Sequence, residues 1–204
     1  IVGEILTKYQ DNINNTAVIL GDENLLLPIL YSLPKQIDAL NITMGYAGKN
    51  NPVQILVAQL FKLHTNAIKR SGESYVFYYK DLLDVLTNPF VESFAQTTDL
   101  VQTIKRNNFT FITLKKLVEI QGESNPYFEL LFQKWNLGVM PVLEQIQAIL
   151  IFIKNNLNRE SKDEKISLAF VYSIYKIINK LISYYSDRSG IDQLETLYTI
   201  YKQI

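Results

Sequence analysis

The chain has 204 residues, of which 48% are hydrophobic and 20% are charged, so it can bury a sizeable core and is not disordered. Its 20 basic and 20 acidic residues cancel, which excludes a strongly basic nucleic-acid-binding domain, so any contact with DNA must come from local patches. It has no cysteine and one histidine, His64, which excludes disulfides, thiolate metal sites and metal motifs with two histidines.

The first fifty residues are predicted to alternate between helices and strands. Apolar residues at helical spacing predict a helix over residues 1–13, and a β-branched run between turn residues predicts a short strand at 16–20. A helix over residues 24–33 and a second strand at 41–44 complete the unit. This order is typical of an α/β unit, and one of this size is expected to belong to a larger sheet.

The chain beyond residue 50 is predicted to be helical, with two short strands. Aromatic runs at residues 75–79 and 109–112 predict the strands, which could pair with each other. Apolar side chains at helical spacing predict helices over residues 52–70, 80–86, 98–106, 114–120, 126–135, 139–157, 161–185 and 191–204. The last of these helices are expected to pack as an antiparallel bundle.

Together these elements predict a mainly α fold with a small α/β portion, in which an N-terminal strand–helix–strand unit precedes a multi-helix bundle. We expect two domains, over residues 1–50 and 51–204. The most apolar stretch, residues 148–153, is far shorter than the ~20 residues that cross a bilayer, so no membrane partner is expected.

The dipeptide Asn-Pro occurs at equal intervals, which raises the hypothesis of a helical repeat. Its three copies are Asn51-Pro52, Asn88-Pro89 and Asn125-Pro126. However, the similar tripeptides that begin at Ile68 and Ile104 fall one residue out of step with this interval. Because Asn-Pro is also a common start of helices and turns, coincidence is the favoured explanation.

No recognised catalytic motif is present in the sequence, which lacks a phosphate-binding loop, a nucleophile elbow and a zinc-protease helix. Asp81 and Asp84 share a face of a predicted helix, but we expect a solvated face there rather than a metal site. His64 lies on an apolar helix face and is expected to be a hydrogen-bonded residue at the core boundary. The sequence thus assigns no catalytic residue and no cofactor, and it leaves open whether the whole protein is an enzyme.

Basic residues near aromatic side chains are the best candidates for binding nucleic acid. Such residues can neutralise phosphates, and an exposed ring can stack on a base. In the alternative interpretation the rings belong to the core and the basic residues only solubilise helix ends. The candidate binding residues are Lys69, Arg70, Lys105, Arg106, Lys115 and Lys116.

Three segments resemble one part of the AddB-like helicase–nucleases, which belong to the PD-(D/E)XK nuclease superfamily and repair double-strand breaks. They are AVILGDENLLLPILYSLP (17–34), NITMGYAGKNNPVQILVAQL (41–60) and YYKDLLDVLTNPFV (78–91). In that family the matching part is the start of the second RecA-like lobe of a UvrD-type helicase, with the helical insertion that follows. The resemblance covers residues 16–91, and the remaining residues agree only in being helical.

The resemblance implies a non-catalytic fragment of a cytoplasmic DNA-repair helicase–nuclease, whose parent is an exodeoxyribonuclease-like enzyme. Active relatives carry a nucleotide-facing arginine where this chain has residues 21–24, so the resemblance does not extend to ATP binding. The implied role is to engage or guide DNA, with other domains of the parent chain or a helicase partner subunit as further partners. The alternative is a structural or protein-interaction helical module that makes no contact with DNA.

Overall fold

The computed structural model of the chain describes residues 1–9, 13, 15–34, 37, 40–42, 51–70, 75–122, 125–135, 138–157, 162–186 and 193–203. These residues form eleven α-helices, one short 3₁₀ helix and one two-stranded antiparallel sheet. The predicted fold class, mainly α with a small α/β portion, is therefore confirmed. The chain divides into two compact units, Ile1–Lys49 and Asn50–Ile204.

The described part of the first unit contains two short helices, α1 (Val2–Lys8) and α2 (Leu26–Ser32). They approach so closely that any side chain in place of Gly3 would collide with the backbone carbonyl oxygen of Ser32. The strand predicted at residues 16–20 is not formed, and Ile19 in its middle is exposed to solvent. A β-branched run becomes a strand only beside a second strand, and the described residues of this unit provide none.

Some predicted elements of both units extend into parts of the chain outside the described residues. This applies to residues 10–12 of the first predicted helix, to 43–44 of the second predicted strand, to 161 of the helix predicted over 161–185, and to 191–192 and 204 of the last helix. Residues 41–42, which are described, do not form a strand.

The second unit is built around its first helix, α3 (Pro52–Arg70), which has buried side chains along its whole length. It packs against four later helices and one strand of the sheet. The elements that follow α3 are β1 (Val76–Tyr78), α4 (Tyr79–Leu86), α5 (Pro89–Ala95), α6 (Thr98–Arg106), β2 (Phe111–Thr113), α7 (Leu114–Gln121), α8 (Pro126–Phe132), α9 (Val139–Asn156), α10 (Lys162–Ser186) and α11 (Leu194–Gln203).

The predicted helices of this unit are confirmed, with bounds close to those expected, and one further helix appears. The sequence interpretation expected no helix between residues 86 and 98, where Asn88-Pro89 follows α4. The structure shows that the same two residues also begin α5, because the Asn88 side-chain oxygen accepts a hydrogen bond from the backbone N–H of Phe90 at 3.1 Å. An Asn-Pro pair both interrupts one helix and caps the next.

The two strands pair as predicted, and they form a short antiparallel ribbon. Phe77 lies opposite Ile112 in the centre, and both side chains are buried against the core. Because successive side chains of a strand point to opposite faces, Tyr78 and its partner Phe111 lie on the other face, towards solvent. The ribbon thus has one apolar core face and one aromatic outer face.

The same order of elements occurs twice around this ribbon. β1, α4 and α5 have 3, 8 and 7 residues, and β2, α7 and α8 repeat these lengths of 3, 8 and 7 residues. In both copies an Asn-Pro pair begins the second helix. The central residues of the two strands pair with each other. This repeated order includes the Asn-Pro pairs at 88 and 125, and a repeat that also includes Asn51-Pro52 stays a hypothesis.

Each of the three Asn-Pro asparagines caps a helix with its side-chain oxygen. Asn51 accepts from Val53 N at 2.9 Å, and Asn125 accepts from Tyr127 N and Phe128 N at 2.9 and 3.0 Å. The side-chain nitrogens of the second and third caps donate backwards along the chain. Asn88 donates to the Pro52 carbonyl at 3.0 Å, and Asn125 donates to the Phe94 carbonyl at 3.1 Å, so each cap ties its helix to the preceding Asn-Pro helix.

The second unit also contains a long helix, α10, whose apolar character the sequence interpretation did not single out. Among the described residues, Glu164–Ser186 within α10 has the length and mean hydropathy, 1.3, of a helix that can cross a membrane. One side of α10 packs against α9 and α3, and Val171, Ile174 and Ile178 are buried there. Core helices of soluble proteins can have the same length and composition, so the finding describes the length and composition of this helix and nothing further.

Candidate nucleic-acid interface

The outer face of the β1–β2 ribbon combines two aromatic rings with one guanidinium group. The ring centroids of Tyr78 and Phe111 lie 5.7 Å apart. The central guanidinium carbon of Arg70 lies 5.2 Å from the Tyr78 centroid and 5.8 Å from the Phe111 centroid, which is within the range of a cation–π contact. The Phe111 side chain remains 52% exposed. We call Arg70, Tyr78 and Phe111 the ribbon face.

Arg70 is held at this place by a buried carboxylate on α4. Asp81 accepts from Lys62 Nζ at 3.0 Å and from the Asn66 side-chain nitrogen at 2.8 Å, and its Oδ2 lies 3.8 Å from an Arg70 nitrogen. These three partners follow one another at four-residue intervals on α3, so they line one side of that helix. Asp84, which is exposed, contacts Lys62 as well, at 3.1 Å.

The prediction of a solvated helix face is therefore wrong for Asp81 and holds for Asp84. Asp81 is only 4% exposed, because α4 packs against α3 and places that carboxylate among the donors of the longer helix. The two carboxylates raise the pKa of Lys62, chiefly through their hydrogen bonds and that of Asp81 first. No sequence signal marked this cluster, since Asp81 and Asn66 are far apart along the chain.

The six candidate basic residues are not equally placed. Lys69 forms an ion pair with Glu195 of α11 and so turns to a different neighbour from Arg70. Lys105 and Arg106 are exposed in the last turn of α6, shortly before β2 begins. Lys115 and Lys116 are exposed in the first turn of α7, directly after β2 ends.

Apart from Lys69, the candidates therefore lie on the ribbon face or within six residues of a strand of the ribbon. Carboxylates contact only some of them among the described residues. Lys116 pairs with Glu119 at 3.4 Å, an exposed pair on one helix, and Arg70 has the buried Asp81 at 3.8 Å.

The aromatic residues near the basic pairs divide between core and surface. Tyr75 and Phe77 are buried, as the core interpretation expected, and Phe109 is half-buried. Tyr78 is half-buried at the outer side of the ribbon, and only Phe111 is exposed. The alternation of a strand explains why neighbouring aromatic residues have these different environments.

His64 is fully buried and not at the core boundary, although it is hydrogen-bonded as expected. Its Nε2 donates to the Leu131 carbonyl oxygen at 2.9 Å, and its Nδ1 accepts from the Tyr75 hydroxyl at 2.7 Å. The ring also stacks on Trp135, with centroids 4.5 Å apart. Burial lowers the pKa of His64 to about 4, against the opposing effect of the Leu131 hydrogen bond, so the ring is neutral at pH 7.

A concave region, separate from the ribbon face, lies between the end of α8 and the start of α9. It is an open cleft of about 250 Å³, lined by Leu130, Gln133, Lys134, Pro141, Glu144 and Gln145. The side-chain nitrogen of Gln145 donates to the Leu130 carbonyl oxygen at 2.7 Å, so this amide already has a hydrogen-bond partner within the protein.

Within the described residues, no group of three or more His, Cys, Asp or Glu side chains is placed to hold a metal ion. Comparison of the chain with known protein families, with characterised proteins and with solved structures finds no match. The function is therefore argued from the chemistry of the ribbon face and the basic residues around it.

Proposed function

We propose that this chain engages DNA through the ribbon face, as a non-catalytic part of an AddB-like DNA-repair helicase–nuclease. The observation that supports the proposal is the contact of Arg70 with two rings on the outer side of a two-stranded ribbon. An aromatic surface with a cation beside it offers both of the interactions that nucleic acids provide, stacking and phosphate neutralisation.

The charge around the ribbon face also favours a polyanion. Lys105, Arg106, Lys115 and Lys116 are exposed next to the two ends of β2. Since the net charge of the whole chain is zero, DNA contact requires a local patch, and these four residues, which are close to β2 in the chain, are the proposed patch. The resemblance over residues 16–91 implies the same general role, which is to engage or guide DNA.

The test is binding of fluorescently labelled single-stranded and forked DNA across a salt series. We expect an affinity that falls steeply as salt is raised, and a large loss in the double variants Lys105→Glu plus Arg106→Glu and Lys115→Glu plus Lys116→Glu. The matched control is Lys176→Glu plus Lys180→Glu, which reverses two exposed lysines on α10, away from the ribbon in the chain. Absence of binding at low salt would overturn the proposal.

A second candidate function is a structural or protein-interaction module, and the exposed side of α10 favours it. Tyr172 and Tyr184 are exposed there, and 22% of the most apolar window of this helix is buried. Another domain of the parent chain or a partner subunit could cover this side. A protein that binds no DNA at low salt, and whose self-association is abolished by Tyr172→Lys, would support the module.

A further inference from the structure

We infer that the ribbon face receives single-stranded rather than base-paired DNA, with one unpaired base stacked on the ring of Phe111. This inference rests on the proposed function and adds the class of nucleic acid that the site prefers.

The exposed ring of Phe111 supports stacking of an unpaired base. It is 52% exposed, although a phenylalanine side chain has no polar group that benefits from water. Tyr78 and Arg70 both contact it, and its cross-strand position is set by the pairing with Tyr78. The ring is therefore a supported platform with free apolar surface. Inside a duplex both faces of a base are covered by its neighbours, and only the terminal pairs expose a face, so an unpaired base is the main partner that such a platform can stack on.

The cations near the Phe111 ring support contact with the phosphates of a bound strand. Arg70 lies against the ring and is 37% exposed, so its guanidinium can contact a phosphate without leaving Phe111. Lys115 and Lys116 are exposed in the first turn of α7, shortly after Phe111 in the chain, and their long side chains can add to the attraction for phosphates.

The backbone of α7 supplies little of this attraction, which separates the site from a simple helix terminus. The Lys116 N–H is occupied by the Thr113 side-chain oxygen at 3.1 Å, and the Leu114 N–H points to the Tyr75 carbonyl at 3.4 Å. The side chains of Arg70, Lys115 and Lys116 are therefore the groups that would meet phosphate. Stacking on a phenylalanine tolerates every base, so we expect little dependence on DNA sequence.

The experiment compares Phe111→Leu with the wild-type chain, using a 12-nucleotide single strand and the blunt duplex of the same sequence. We expect the single strand to bind more tightly than the duplex at equal salt. Phe111→Leu should weaken single-strand binding by roughly 5- to 150-fold, which corresponds to the loss of one base–aromatic stack. The salt dependence should stay unchanged, since no cation is removed, and Phe111→Trp should retain the affinity.

Two controls keep the outcomes separate. Tyr172→Leu removes another exposed ring, on α10, and should leave single-strand binding unchanged, while circular dichroism confirms that each variant is folded. If single strand and duplex bind equally and Phe111→Leu has no effect, the stacking inference is overturned while the proposed DNA binding stands. If neither DNA binds at low salt, the proposed function itself is overturned, and the inference is overturned with it.

Discussion

The side-chain nitrogen of Asn88 donates a hydrogen bond to the carbonyl oxygen of Pro52 at 3.0 Å, so the cap of α5 is attached to the first turn of α3. Its side-chain oxygen meanwhile caps its own helix, and the whole residue is 3% exposed. This one asparagine therefore uses both ends of its amide, which a simple helix cap does not require.

The double use of Asn88 makes Asn88→Asp destabilising, although aspartate is normally as good a cap as asparagine. The new carboxylate keeps the capping oxygen but places a second oxygen against the Pro52 carbonyl. We expect a loss of about 1–3 kcal/mol in the free energy of unfolding, measured in urea. Asn51→Asp is the matched control, because the described residues provide no acceptor for its side-chain nitrogen, and its cost should be smaller. Equal stability of Asn88→Asp and the wild type would contradict this account.

The buried carboxylate of Asp81 makes Lys62 important for stability despite its exposed position. Lys62→Met removes the cation at 3.0 Å and leaves Asp81 with Asn66 and the more distant Arg70. We expect a loss of about 1–3 kcal/mol in urea unfolding, the cost of a partly unsatisfied buried group. Lys116→Met, which breaks the exposed pair with Glu119, should cost no more than about 1 kcal/mol. Similar losses in both variants would show that burial of Asp81 does not matter.

The buried His64 makes the stability depend on pH. Its pKa is lowered from 6.5 to about 4 in the folded chain, so below pH 6.5 the unfolded chain takes up a proton that the folded chain does not. Stability from this group is fully present above pH 6.5 and is lost as the pH falls towards 4, with a total on the order of 3 kcal/mol.

The measurement for His64 is urea unfolding between pH 7 and pH 4, followed by the fluorescence of Trp135, the one tryptophan of the chain. His64→Gln should be less stable at pH 7, because it loses the ring stacked on Trp135, and its stability should fall less steeply with acid. Carboxylates titrate in both proteins, so the difference between the two curves isolates His64. Parallel curves would rule out the assigned burial of a neutral imidazole.

The backbone at Gly138, which precedes α9, requires a glycine. Its φ of 129° and ψ of 148° lie in a region that is almost restricted to glycine. A side chain there would meet Pro141 only at ordinary contact distance, so the cost of Gly138→Ala comes from the backbone. We expect a loss of about 1–3 kcal/mol in thermal or urea unfolding. Gly21→Ala is the control, since its Cβ would meet nothing within 4 Å, and it should be close to neutral.

The helices and their caps could be predicted from the sequence, because both are determined by neighbours in the chain. The apolar spacing of residues 52–70 is an example, and the structure confirms that helix. The strand predicted at residues 16–20 is not formed, because neighbours in the chain alone do not determine a strand. Its composition favours a strand, but strand formation depends on a partner that a single segment does not specify.

The site was less predictable, because its contacts join distant parts of the chain. Lys69 and Arg70 are adjacent and look equivalent in the sequence, yet one contacts Glu195 and the other contacts Phe111. Similarly, the burial of His64 depends on Leu131, which lies 67 residues later. The sequence could identify these side chains as candidates. Which partner each one contacts depends on how α3 packs against its neighbours.

The proline after each capping asparagine has a consequence for the chemical ageing of the protein. Asparagine deamidates when the backbone nitrogen of the following residue loses its proton and attacks the side-chain carbonyl to close a succinimide ring. A proline nitrogen carries no hydrogen, so this route is blocked at Asn51, Asn88 and Asn125. The two asparagines whose amide nitrogens connect successive helices are thereby protected from slow conversion to aspartate, the change that would break those connections.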